Sequence, residues 1–293
     1  MYYYWKPREK VKMKIVFCTA VYPKAWKWHD EFVRSINKQD YNDFDVLIAN
    51  DGLNDEDIQK LKEEINNDVK IINLNGKFSI SEIRIKLLEE AKKRYDMAIF
   101  GDFDDKFAIN RVRRNKEEFD GQYTFYYNKL ILENGKNVFK DMPVEVSRIE
   151  QIAEQNYLGL SNTAINLNNL SEEFIKSLKN VQTNVFDWYL YTKILLIDKK
   201  GKCVYGTYTE YRQSENNIAG TYEKNKSNIQ REIFVKLEQY RLLKDESFKF
   251  QRLYQLYSEI KDSELDMSDE KINKRFKGYW WSIINLFKEE ENV

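Results

Sequence analysis

The sequence predicts an α/β fold: a mainly parallel sheet flanked by helices, with a helical C-terminal extension. Three observations carry this. Short β-rich apolar runs alternate with helical segments through about the first hundred residues, the pattern of βαβ units and a parallel sheet. Several of those runs end in Asp, Asn or Gly, as strands do where they turn. From about Asn228 the chain becomes charged and helical in pattern.

The elements follow in order. "KMKIVFCTA" (12–20) reads as a buried strand. After the loop "VYPKAWKW", "HDEFVRSINKQ" (29–39) reads as a helix. "FDVLIANDG" (44–52) is a second strand closed by Asp-Gly. "NDEDIQKLKEEI" (54–65) opens with Asn and acidic residues, which favour a helix N-terminus. "VKIINL" (69–74) is a third strand, and 79–95 is a helix with Ser81 as its N-cap and Ile83, Leu87 and Ala91 on one face. "DMAIFG" (96–101) is a fourth strand. Beyond it, 122–132 and 202–211 alternate as strands do, while 144–155, 171–180 and 186–197 read as helices. There is no repeat and no Gly/Ser or Pro linker, so residues 1–225 form one catalytic-type domain and 226–293 a helical extension.

Composition removes several function classes. Lys plus Arg and Asp plus Glu balance at 48 each, which argues against a general nucleic-acid binder. His29 is the only histidine, so imidazole-built zinc sites and Ser-His-Asp triads are nearly excluded. Cys18 and Cys203 are the only cysteines and imply no framework of bridges. "MYYYWKPREK" has no apolar signal-peptide core, and no run approaches the roughly 18 apolar residues of a spanning helix. The expectation is a cytoplasmic protein. Aromatics are 15% of the chain; they serve the core first, and some can form platforms for sugar rings.

The chemistry concentrates at "IFGDFDD" (99–105), where a buried-looking strand runs straight into Asp102, Asp104 and Asp105. Carboxylates that close need a cation, a hydrogen-bond cage or water. Hard cations such as Mg²⁺ or Mn²⁺ favour oxygen ligands, and Mg²⁺ takes one or two carboxylates and fills its shell with water and phosphate oxygens. A D-x-D after a parallel strand suits a metal–diphosphate complex; a solvated acidic turn is the plainer alternative. Ligands of such sheets sit beyond the carboxyl ends of the strands. That rule gathers Thr19 to Tyr22, with Ala20 between, and Asn50-Asp51-Gly52 beside Asp102 to Asp105. Asp51 can accept hydrogen bonds from a base or simply cap a turn. Arg84 can fork onto a phosphate or carboxylate, or lie on a solvated helix face.

Taken together, these residues resemble a family 2 glycosyltransferase of the GT-A (Rossmann-like) type, most closely its bacterial rhamnosyltransferase-like branch, over roughly residues 13–220. The opening 17–55 resembles the family's first strand, helix and acidic nucleotide loop. "GDFDDKF" resembles its D-x-D-D, "FDWYLYTKIL" its acid-Trp helix, and "YRQSENNIAG" its Arg-Gln-x-x-Asn-Asn segment. The resemblance implies a nucleotide-sugar donor (UDP- or dTDP-linked), Mn²⁺ or Mg²⁺, and inversion at the anomeric carbon. It implies that Asp51 contacts the base, that Arg84 supports the nucleotide, and that Asp102 faces the ribose or the metal. Asp104 would be the main metal ligand and Asp187 the catalytic base. Thr19, Ala20, Tyr22, Phe103, Arg212 and Gln213 would complete the donor site. Trp188 is either core or part of the acceptor-pocket wall, and Asp187 by itself also reads as a helix N-cap after "QTNV".

The sequence departs from the family twice. The nucleotide loop keeps one acidic residue, Asp51, where two are common. Ser214 stands where the family usually carries a metal-binding histidine, leaving Glu215 or water to complete the shell. That departure keeps a second class open, a non-catalytic nucleotide-sugar or glycan-binding module. A nucleotidyltransferase is disfavoured, because no Gly-rich loop with Arg and Lys follows the first strand. Finally, "KINKRFKGYWWSIINLF", within 270–293, has the composition of an interfacial anchor. It could serve a glycan or polyisoprenyl-linked acceptor at the inner face of the cell membrane, or dock on its own domain.

Overall fold

Ile15–Val21 forms β1. Its apolar residues alternate between two cores: Val16 and Cys18 face one, Ile15, Phe17 and Val21 the other. A strand buried on both faces reads as a continuous apolar run. Residues 12–213, 225–260 and 278–286 are described by this computed structural model. A 3₁₀ turn, Pro23–Trp28, leads into α1 (His29–Asn37), and β2 (Asp45–Asn50) follows. Helix α2 (Asp55–Glu64) starts where Asn54 accepts the Asp57 N–H at 2.8 Å. After β3 (Val69–Asn73), α3 (Ile80–Lys92) begins at Ser79, not Ser81. Ser79 and Glu82 form a reciprocal capping box. Ser81 is buried, and its Oγ donates to the Thr183 carbonyl at 2.7 Å.

β4 (Met97–Phe100) completes the parallel half, in which β3, β2, β1 and β4 lie side by side. β5 (Lys106–Phe107), α4 (Arg111–Glu118), β6 (Phe125–Ile131), β7 (Glu145–Val146) and β8 (Thr163–Asn166) come next. Then follow α5 (Glu172–Ser177), α6 (Phe186–Leu196) and β9 (Gly201–Glu210). The sheet order is β3-β2-β1-β4-β8-β6-β9-β5, with β7 on β9. β8 is antiparallel to β4 and β6, whereas β6 and β9 run parallel. The longer ladders are parallel, so the sheet is mainly parallel as expected.

The expected helix over 144–155 is instead β7 followed by a 3₁₀ turn at Ile149–Gln151. The Gln151 amide reaches back to the Glu145 carbonyl at 2.9 Å, which holds this segment on the sheet edge. Helices α1, α2 and α4 cover one face of the sheet. Helix α3, α6, α7 (Lys226–Leu243) and α8 (Phe248–Ser258) share the core of the other. Residues 279–284 also belong to that core: Tyr279, Trp280, Trp281, Ile283 and Ile284 are all buried. Of the two readings given above for this segment, these apolar side chains follow the second and pack on their own domain. The flanking 270–277 and 287–293 lie outside the described residues. Among the described residues no helix is long and apolar enough to cross a membrane.

Candidate active site

The carboxyl ends of β1, β2 and β4 meet at one edge because their registers align. Val21 pairs with Asn50 and Cys18 with Phe100. The chain then turns at each end. Asp51 N–H donates to the Val21 carbonyl at 2.8 Å, and Gly52 takes φ +99°, a conformation glycine adopts without a Cβ clash. After β4, Gly101 N–H donates to the Cys18 carbonyl at 3.0 Å. A Cβ on Gly101 would lie 2.4 Å from Phe107 and 2.5 Å from Phe17. Glycine is therefore required at the point where the strand enters the acidic loop.

That loop stands over a buried cation. Arg111 is wholly buried; its Nη2 donates to the Phe100 carbonyl at 2.6 Å and its guanidinium lies 4.8 Å from the Phe107 ring. Burial lowers its pKa to about 9, while Asp105 and Asp102 pull it up. Asp105 is also buried. It accepts the Ser161 hydroxyl and, at 2.8 Å, the Arg212 N–H. Burial, then the charges of Asp102 and Asp104, push its carboxyl well above the usual range. Asp105 thus ties the Arg212 segment to the acidic loop. Arg212 Nε donates to the Asp104 carbonyl at 2.9 Å, Nη2 to Glu31 at 2.9 Å, and its guanidinium stacks 3.6 Å from the Trp28 ring.

Asp102 and Asp104 both open into a cavity of about 280 Å³. Burial first, and then Asp102, raise Asp104 to about 6. Arg84 Nη2 stands 3.8 Å from Asp102. Across the cavity, Asp187 sits in the first turn of α6 and accepts the Trp188 N–H at 2.8 Å. Burial raises Asp187, against the pull of Arg84 and the Trp188 N–H. The Ser81–Thr183 bond joins α3 to the segment before α6, which brings Arg84 and Asp187 to one place.

Of the residues expected in the site, Ala20, Tyr22, Asp51, Arg84, Asp102, Phe103, Asp104, Asp187 and Arg212 line this cavity. Phe103 does so from a buried stack on Phe32, ring centres 4.4 Å apart. Gln213 lines an adjoining open recess of about 830 Å³ with Lys24, Lys27 and Trp28. Two of the named residues line neither. The Thr19 side chain is buried, 2% exposed, so only its backbone groups could serve a ligand there. Trp188 is wholly buried and donates to the Ile152 carbonyl at 2.6 Å, so it belongs to the core and not to the cavity wall. Asn156, Ser161, Asn184, Tyr211, Trp280 and Trp281 also line the cavity, though none was expected there. Ser214 and Glu215 lie outside the described residues. His29 cannot replace the missing ligand, since its ring nitrogens stand 2.8 Å from Asp30 and from Glu64.

Among the described residues no group of three or more His, Cys, Asp or Glu side chains is gathered around one point. The fit is to a cation held by two carboxylates, Asp102 and Asp104, the number Mg²⁺ takes when phosphate oxygens and water supply the rest.

No protein-family model matches this sequence, and no curated protein sequence does. Solved structures do share the fold. The S. aureus TarS fragment 1–349, solved with UDP-GlcNAc, superposes with a TM-score of 0.58 at 17% identity, over 84% of this chain and 72% of that one. GalNAc-T7, solved with UDP, GalNAc and Mn²⁺, gives 0.56 at 12% identity, over 89% and 53%. Mannosyltransferase PcManGT from Pyrobaculum calidifontis, solved with GDP-Man and Mn²⁺, gives 0.51 at 12% identity, over 80% and 67%. The chain has the GT-A glycosyltransferase fold.

Proposed function

We propose that this chain is a metal-assisted, inverting glycosyltransferase that moves a sugar from a UDP- or dTDP-linked donor to a hydroxyl of a glycan acceptor. The observation that carries this reading is one cavity at the strand ends, lined by Asp51, Arg84, Asp102, Asp104 and Asp187. The neighbours solved with UDP-GlcNAc, GDP-Man and UDP support a nucleotide-sugar donor for this fold. The motifs at 99–105, 186–195 and 211–220 support the family 2, rhamnosyltransferase-like assignment.

In this reading Asp51 and Tyr22 receive the nucleoside, and Arg84 offsets the diphosphate charge. Asp102 and Asp104 would hold Mn²⁺ or Mg²⁺. That ion, when bound, neutralises charge on the departing diphosphate as a Lewis acid. Asp187 takes the proton of the acceptor hydroxyl as its oxygen bonds to the anomeric carbon. The anomeric C–O bond breaks, and its electron pair leaves with the nucleoside diphosphate. One carboxylate base suffices because that leaving group needs no protonation, unlike the two-carboxyl arrangement of a glycosidase. The raised pKa of Asp187 makes it a stronger base than an exposed Asp. A base placed by a helix terminus beside the donor set has no use in a pure binding module, which sets that second reading aside.

The test is donor-dependent release of nucleoside diphosphate across a nucleotide-sugar panel with Mn²⁺ or Mg²⁺. Asp187→Asn is expected to lower kcat by about 10²–10⁴-fold while nucleoside diphosphate affinity holds. Asp104→Ala is expected to lose the metal-dependent part of that affinity. Turnover by Asp187→Asn at the wild-type rate with every donor would remove Asp187 as the base.

A further inference from the structure

The segment 278–286 lends Trp280 and Trp281 to the cavity that holds Asp102, Asp104 and Asp187. Only 6% of Trp280 and 5% of Trp281 is exposed. The Trp280 indole N–H is sealed from bulk solvent and donates to no protein acceptor. A buried indole N–H ordinarily finds a partner. Its ring packs edge-on to Phe139 at 5.0 Å and against Gly159, which also lines the cavity.

Trp281 has φ +57°. A bulky side chain in the left-handed region is a genuine outlier and persists only where its surroundings impose it. Here they do. Trp280 and Asn156 exchange backbone hydrogen bonds at 2.8 and 3.0 Å. Just past the turn, buried Glu232 accepts the N–H groups of Ile283 (3.0 Å) and Ile284 (2.9 Å), and Lys236 donates to the Ile284 carbonyl at 2.6 Å. This apparatus turns Trp281 toward the cavity. Nothing in the reaction scheme above uses either indole.

We propose that Trp280 and Trp281 hold a pyranose ring beside Asp187, so that the C-terminal segment takes part in choosing the sugar. The inference rests on the glycosyl-transfer reading for what enters the cavity. The part of an indole that reaches the cavity suits the C–H groups of a pyranose, and its N–H suits a hydroxyl. Asn156 and Asn184, which line the same cavity, supply amides for further hydroxyls. The site therefore has the mixture of flat apolar surface and few fixed polar groups that a carbohydrate pocket needs. The ring can belong to the acceptor or to the donor's sugar; the chemistry is the same and the test separates them.

The full chain is compared with W280A, W281A and the conservative W281F on a printed glycan array. In parallel, calorimetry with Mn²⁺ measures UDP, dTDP and GDP, and then the matching nucleotide sugars. For an acceptor ring, array binding is expected to fall about tenfold or more in W280A and W281A and to be largely kept by W281F, with nucleoside diphosphate affinity within about twofold. For a donor ring, the extra affinity of the nucleotide sugar over its nucleoside diphosphate disappears in W281A and returns in W281F. Unchanged sugar binding by both alanine variants overturns the proposal, as does a wild type that binds sugar in neither assay. If the array signal depends on Trp281 while no nucleoside diphosphate binds, the platform stands and the transfer reading falls. Retained nucleoside diphosphate affinity shows that a variant has folded.

Discussion

Two groups of buried charge flank the cavity, and they are resolved in opposite ways. In the helical extension, Lys236 has three donors and three acceptors: Glu232 at 3.0 Å, the Tyr257 hydroxyl at 3.0 Å and the Ile284 carbonyl at 2.6 Å. Glu232 accepts two backbone N–H groups besides. Glu154 is closed by the Tyr257 hydroxyl at 2.7 Å and the Leu286 N–H at 2.8 Å. In the acidic loop the charges are not closed. Asp104 is raised to about 6, Asp105 well above its usual range, and Arg111 keeps two buried nitrogens without a partner. A satisfied buried network fixes structure. An unsatisfied cluster of charges at the edge of a cavity marks where a ligand is expected to enter.

The largest effect should come from breaking the closed group. Lys236→Met leaves Glu232 buried, 2% exposed, with its cation gone. Removing one partner of a buried pair costs about 3–5 kcal/mol, read as a fall in the urea midpoint. A change below about 1 kcal/mol would mean that this group, too, is only loosely resolved.

The open group should respond with the opposite sign. In EDTA, Asp104→Asn is expected to stabilise the protein by on the order of 1–3 kcal/mol at pH 7–8, since one repelled, largely buried carboxylate is removed. The folded Asp104 titrates at about 6, above its ordinary 3.8. Its favourable contribution is therefore complete below about pH 4 and lost as pH rises to about 6. The gap between variant and wild type should open across that window and stay flat above it. Mn²⁺ should then close the gap from the other side. At 100 times its Kd a ligand adds about 2.7 kcal/mol to the state that binds it, and the gain should be confined to wild type.

The two groups also differ in how much of them could be read from the sequence. The acidic loop lies in the parallel half, where apolar runs and helices alternate with a regular period. Strand ends can be aligned by rule, which puts Asp51, Asp102 and Asp104 at the edge where the cavity lies; Arg84, on a helix, stands out only for its guanidinium chemistry. Asp187 stands out only through the resemblance of "FDWYLYTKIL" to the family's acid-Trp helix. The extension offered no such rule. Trp280 and Trp281 reach the cavity through contacts with residues more than a hundred positions away, such as Asn156, while basic residues before aromatics fit a membrane face or a docked segment equally and point to no site. Helix α4 escaped notice because its buried face is Arg111, Val112 and Asn115, which has no apolar period. β8 is too short, at four residues, to show alternation.

The smallest effect on stability should come from Arg84→Gln, and it sharpens the contrast most. Arg84 stands 3.8 Å from Asp102, whose side chain is 45% exposed. A pair that open contributes about 0–1 kcal/mol, so the urea midpoint should scarcely move. Arg84 nevertheless holds Asp187 below the value that burial alone would set. Without that cation, Asp187 should keep its proton to higher pH, and the acidic limb of kcat/KM should shift upward. Removing Lys236 takes away one positive charge and should weaken the fold while leaving the position of that limb unchanged. Removing Arg84 takes away the same charge and should move the limb while sparing the fold. An unmoved limb in Arg84→Gln would separate Arg84 from Asp187 and leave the open group without its second carboxylate partner.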